Sequence, residues 1–212
     1  MQKIGILGGT FDPVHFGHLR IAVECKEALG LDELRMIPCA LPSHRDSPHV
    51  NVEQRTAMLA AAIENEDGVL VDDRELKRRG YSYTVDTLLS LKAEFPESVL
   101  YLIVGSDSFQ DFLSWHRWQT ILDLANLVVA QRPGQGDDHE SAAGLALEKR
   151  FCSVTDITAS PSGRISFLGV SQLAISSTRI RELIKENKSV RYLLPDSVIE
   201  IIKDCALYKN SC

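Results

Sequence analysis

No apolar run in this 212-residue chain approaches the roughly 20 residues that a helix needs to cross a bilayer, so membrane insertion is not expected. Positive charge is in deficit: 23 Lys and Arg stand against 29 Asp and Glu, a net charge of −6. A chain so charged has no general attraction for the phosphates of a nucleic acid polymer, although a local cationic pocket for a small anion stays possible. The five cysteines, Cys25, Cys39, Cys152, Cys205 and Cys212, are odd in number and scattered, with no CxxC pair. They indicate neither a disulfide framework nor a thiolate metal site, and they suit a reducing cytosol. The first apolar stretch, residues 4–7, runs straight into Gly8-Gly9 and is too short for a secretory signal, so a cytoplasmic protein is expected. Repeats and low-complexity tracts are absent, as are the GxGxxG and GxxxxGK[ST] phosphate loops.

What is present is a composition fit for folding, 44% hydrophobic and 25% charged, at a length that one core can serve. A single domain over 1–212 is expected. Short β-rich apolar runs at 4–7, 34–37, 69–71, 99–104, 127–130 and 165–168 read as strands. Between them, residues 19–29, 52–63, 84–95, 121–125 and 142–150 carry apolar side chains at helical spacing. Residues 179–187 and 195–207 read as two closing helices, with Pro195 in a first turn, and 131–139 reads as a surface loop that could serve as a lid. Strand and helix in alternation predict an α/β fold: a Rossmann-like, doubly wound, mainly parallel sheet with helices on both faces and C-terminal helices. Ligands in such folds lie beyond the carboxyl ends of the strands, where residues 8–18, 105–108 and 171–181 would converge.

Gly8 and Gly9 follow a strand, where missing side chains let backbone N–H groups approach a phosphate; Thr10 adds a hydroxyl. His15 and His18 are three residues apart, so a helix beginning near Phe16 would set both imidazoles at its anion-favouring N-terminus. A zinc pair is the competing reading, but it requires a third protein ligand, and none follows at motif spacing. Near the C-terminus, Ser176, Ser177 and Thr178 precede a predicted helix that carries Arg179 and Arg181, a set able to grip a triphosphate or simply to cap the helix.

The run Gly8-Gly9-Thr10-Phe11-Asp12-Pro13-Val14-His15-Phe16-Gly17-His18 resembles the signature of the nucleotidyltransferase superfamily without departure, and Ile175-Ser176-Ser177-Thr178-Arg179-Ile180-Arg181 resembles its second signature. Further stretches resemble the bacterial nicotinate-nucleotide adenylyltransferases within it. They are Leu41-Pro42-Ser43-His44-Arg45, residues 75–88, Gly105-Ser106-Asp107-Ser108, Trp115-His116-Arg117-Trp118, Arg132-Pro133 and Tyr192-Leu193-Leu194-Pro195.

The resemblance implies an enzyme of NAD biosynthesis that transfers AMP from ATP to nicotinate mononucleotide, giving deamido-NAD and pyrophosphate. It implies catalytic roles for His15, His18 and Arg179. ATP would be bound by Gly8, Gly9, Thr10, Phe11, Ser176, Ser177, Thr178 and Arg181. His44 and Arg45 would approach phosphates, Tyr83 and Thr84 the acceptor nucleotide, and Arg132 also falls in the acceptor site. Trp115 would stack on the nicotinate ring, unless it is a core residue, and Asp107 would orient a ribose hydroxyl or cap the helix after it. Magnesium is expected on the triphosphate, held by phosphate oxygens and water, with no protein metal ligand and Asp12 a candidate for a bound water. Two rivals stand: a related transferase with another acceptor such as phosphopantetheine, and a nucleotide sensor that has lost turnover.

Overall fold

The computed structural model describes residues 1–40, 48–78, 80–131, 137–171 and 173–209. Six strands, β1 (Lys3–Gly9), β2 (Glu33–Pro38), β3 (Val69–Val71), β4 (Val99–Gly105), β5 (Asn126–Gln131) and β6 (Ile165–Gly169), form one sheet in the order β3-β2-β1-β4-β5-β6. Every pairing is parallel. The order reverses between β1 and β4, and the connections leave there on opposite sides, opening a crevice at their carboxyl ends.

Strand residues alternate faces, and the two faces feed two cores. On one side Leu7, Leu34, Met36, Tyr101, Ile103, Val128 and Ala130 pack against α1 (Phe16–Leu29), α2 (Val52–Ile63), α7 (Val154–Thr158), α8 (Ser177–Lys185) and α9 (Asp196–Asp204). On the other Ile4, Ile6, Leu100, Leu102, Val104, Leu127 and Val129 pack against α3 (Thr84–Glu94), α4 (Ser106–Gln110), α5 (Trp118–Leu124) and α6 (Ala142–Leu147). Helices therefore cover both faces, as the strand–helix alternation predicted.

Each predicted strand is present, extended by one or two residues at most ends. The helices differ more. The stretch 142–150 is α6 followed by a separate 3-10 turn, Glu148–Arg150. The short helices α4 and α7, five residues each, show no periodicity because they complete little more than one turn. Pro195 is the cap before α9 rather than a first-turn residue, and the helix ends at Asp204, so Leu207 lies in a turn beyond it. Of the predicted loop 131–139, Gln131 closes β5, residues 132–136 lie outside the described residues, and a 3-10 turn runs over Asp137–Glu140.

Candidate active site

β1 delivers Gly8 and Gly9 to the switch point. A Cβ at Gly8 would meet nothing within 4 Å, so the backbone there is open to a ligand; one at Gly9 would lie 3.0 Å from the Phe11 ring. Phe11 is buried and adopts the left-handed conformation, φ 50°, which costs a residue with a Cβ on the order of 1 kcal/mol. That turn has to be braced from outside, and five residues brace it: Arg55, Arg181, Ser177, His49 and Tyr208.

Arg55, only 1% exposed, reaches from α2 to donate to Thr10 O (2.7 Å) and Cys39 O (2.8 Å), joining the loops after β1 and β2. Arg181 donates to Asp12 O at 2.6 Å. Ser177 Oγ donates to Pro13 O at 2.9 Å. The Asp12 carboxylate, 4% exposed, accepts from the Tyr208 hydroxyl (2.7 Å) and the His49 backbone N–H (2.8 Å), with His49 Nδ1 at 3.2 Å and Arg181 Nη1 at 3.9 Å. Both oxygens of Asp12 are thus engaged by the protein.

The braced turn ends at His15, which precedes α1 in extended conformation, φ −150° and ψ 168°. The residue is 5% exposed, its Nδ1 is buried without a hydrogen-bond partner, and burial pushes its pKa from 6.5 down to about 4. At neutral pH the imidazole is uncharged. It stacks on His18 with centroids 3.7 Å apart and rings inclined by 26°, a contact that two imidazolium cations would oppose. His18 in turn meets the edge of Phe11 at 5.1 Å. Gly17 makes room for this pair: a Cβ there would sit 2.9 Å from His15 Nδ1 and 3.0 Å from its Cε1. The structure therefore joins the glycines, Phe11 and both histidines in one compact turn, with the helix start at Phe16 that the His15–His18 spacing required.

α8 docks against that turn. Ser176 is its N-cap, accepting from the Arg179 N–H, and Ser177 is tied to Pro13. The two arginines part company. Arg181, 14% exposed in its side chain, turns inward to Asp12 and also approaches Thr178 Oγ1 at 3.3 Å. Arg179 is 54% exposed and pairs with Glu182 at 3.1 Å. A surface pair of that kind contributes about 1 kcal/mol or less, so an incoming polyanion can compete for Arg179, whereas Arg181 is committed to the protein.

A second wall begins where Ala40 N–H donates to Ser82 Oγ at 3.1 Å. Glu75 and Thr87, both buried, are joined by a 2.6 Å hydrogen bond, and Arg78 donates to Thr87 Oγ1 at 2.6 Å. Burial raises the Glu75 pKa against the opposing pull of Thr87, Ser82 and Arg78. This knot fixes the segment before α3, whose cap is Tyr83 and whose first residue is Thr84. The Tyr83 ring lies 4.6 Å from that of His116, next in sequence to Trp115. Trp115 is half-buried, packed on Phe112 at 5.5 Å, so it is neither wholly core nor wholly exposed. Asp107 is exposed in the first turn of α4, whose cap is Gly105, so Asp107 is not the cap. His44, Arg45 and Arg132 lie outside the described residues. Among the described residues no group of three His, Cys, Asp or Glu is placed to hold a metal ion.

Gly17 and Glu75 fall inside the resembling runs 8–18 and 75–88 but had no role assigned, and sequence reasoning missed Arg55, His49 and Tyr208 altogether. Arg55 alone left a trace, as a charge within the apolar stripe of α2 formed with Met58, Leu59 and Ile63.

A family model described as cytidylyltransferase-like matches residues 6–183. A relative from Pseudomonas syringae pv. tomato, named a probable nicotinate-nucleotide adenylyltransferase, is 45% identical over 209 residues, covering 98% of this chain and 94% of the relative. One of the same name from Methylococcus capsulatus is 47% identical over 207 residues, covering 97% and 99%. Among solved structures, the Plasmodium falciparum nicotinic acid mononucleotide adenylyltransferase complexed with NaAD superposes with a TM-score of 0.75 at 18% identity, covering 98% of each chain.

Proposed function

The chain belongs to the cytidylyltransferase-like family and, within it, to the nicotinate-nucleotide adenylyltransferases, and from that premise we propose how its residues carry the reaction. The enzyme transfers the adenylyl group of ATP to nicotinate mononucleotide, giving deamido-NAD and pyrophosphate. A 5′-phosphate oxygen of the acceptor attacks the α-phosphorus; the bond from that phosphorus to the bridging oxygen breaks, and pyrophosphate departs in line. The acceptor phosphate is itself an adequate nucleophile, so the protein's work is alignment and charge stabilisation.

The observation that carries this reading is the His15–His18 pair, stacked at the mouth of the β1–β4 crevice, with His15 Nδ1 buried and unpartnered. His15 and His18 meet the triphosphate, Gly8, Gly9 and Thr10 let it approach the backbone, and Arg179 leaves Glu182 for the charge growing on pyrophosphate. Arg181 acts by holding Asp12. Trp115, Tyr83 and Thr84 face the acceptor, with Trp115 offering the free side of a ring already packed on Phe112. Magnesium would enter with ATP, held mainly by phosphate oxygens and water, and would screen the phosphate charge.

Purified protein given ATP, magnesium and nicotinate mononucleotide should release one pyrophosphate per deamido-NAD formed, and His15→Ala should lose on the order of a hundredfold in turnover. Pyrophosphate or phosphate release that does not depend on the acceptor would overturn the assignment. Binding of both substrates without product would favour the nucleotide sensor.

A further inference from the structure

We propose that Tyr208, four residues before the last of the sequence, is a positioning residue for adenylyl transfer that sets the geometry of His15 and His18 through Asp12; the inference rests on the adenylyltransferase reading above. Tyr208 is 196 residues away from Asp12 in sequence, yet its hydroxyl donates to Asp12 Oδ1 at 2.7 Å. The bond is built with care for its placement. Beyond α9 the chain puts two residues with a Cβ, Ala206 (φ 51°) and Tyr208 (φ 61°), in the left-handed region. Leu207 and Tyr208 are nonetheless buried, 6% and 8% exposed. Backbone strain of this kind persists only where surrounding structure holds it. Here it carries the hydroxyl to the one carboxylate inside the catalytic turn.

At the other end of the bond stands a second strained residue. Phe11 is left-handed immediately before Asp12, and His15 follows three residues after it. Arg181 secures the Asp12 carbonyl, His49 secures one carboxylate oxygen, and Tyr208 supplies the donor to the other. Without that donor, Asp12 keeps a buried oxygen with nothing to accept from and the turn gains freedom to rotate. Placement errors of an ångström at reacting groups can cost about a hundredfold, so partial loosening should cost about tenfold. Substrate binding, spread over both walls of the crevice, should change far less.

The test uses the full-length protein as Tyr208→Phe, with Tyr101→Phe as control. Tyr101 is a buried tyrosine of the same core whose hydroxyl donates weakly, at 3.4 Å, to Thr158 O, away from the turn. Tyr208→Phe should lower kcat about tenfold, while calorimetry gives one ATP site per chain with Kd within twofold of wild type. Tyr101→Phe should keep wild-type kcat. Asp12→Asn should show the same split, and the double variant should be no slower than the slower single one. If Tyr208→Phe does not fold, Asp12→Asn carries the same test. A wild-type kcat in the variant, or a kcat loss matched by an equal loss of ATP sites, would overturn the inference. Failure of the wild-type protein to turn over would instead overturn the reading on which it rests.

Discussion

Lowering the pH from 7 to 5 should cost this protein stability through one residue, His15. It is 5% exposed and burial lowers its pKa from 6.5 to about 4. The folded state therefore resists a proton that the unfolded chain accepts. Between those two values the unfolded chain binds more protons, so stability falls as the pH drops through 6.5 and the loss levels off below about 4. Each tenfold change in proton affinity corresponds to about 1.36 kcal/mol. The loss from His15 is then about 2 kcal/mol at pH 5 and about 3 kcal/mol when complete. Urea unfolding of the wild type and of His15→Asn at both pH values isolates it, because other titrations cancel in the difference while Asn keeps a planar polar group. The advantage of the wild type over the variant should shrink by about 2 kcal/mol between pH 7 and pH 5. A difference that stays constant would refute the claim that His15 is held neutral by burial, and with it the picture of an uncharged imidazole awaiting phosphate.

Three further outcomes follow from the same geometry. Gly17→Ala forces a Cβ to within 2.9 Å of His15 Nδ1, so kcat should fall by roughly ten- to a hundredfold while the thermal midpoint moves by only a few degrees; steady-state kinetics beside calorimetry checks this. Arg55→Met keeps the apolar stem but leaves Thr10 O and Cys39 O without their charged donor, and urea unfolding should show a loss of about 2–4 kcal/mol, with Arg55→Lys intermediate. Trp115→Ala should raise KM for the nicotinate nucleotide about tenfold and leave KM for ATP within twofold, whereas Trp115→Phe should recover most of the loss.

The sheet was legible because its strands are short apolar runs with glycine, asparagine or polar residues at their ends, and because alternation with helices leaves few topologies. The catalytic turn was legible for a different reason: glycines, Phe11 and two histidines three apart are local features whose spacing survives in one dimension, although the left-handed backbone at Phe11 does not. What supports the turn is not local. Tyr208 and Arg181 reach Asp12 across 196 and 169 residues of sequence, and Arg55 reaches Thr10 across 45. No periodicity encodes those distances. The two arginines of α8 look equivalent in sequence, yet they lie about 200° apart around the helix at 100° per residue. One is therefore delivered to solvent and the other to the core, which only the docking of α8 against Pro13 reveals.

The most direct test of adenylyl transfer to a nicotinate nucleotide is kcat/KM of the wild-type enzyme, with ATP and magnesium saturating, for nicotinate mononucleotide, nicotinamide mononucleotide and phosphopantetheine in parallel. Nicotinate mononucleotide should be used with formation of the deamido dinucleotide, and phosphopantetheine should give no adduct. Product from phosphopantetheine alone would contradict the account.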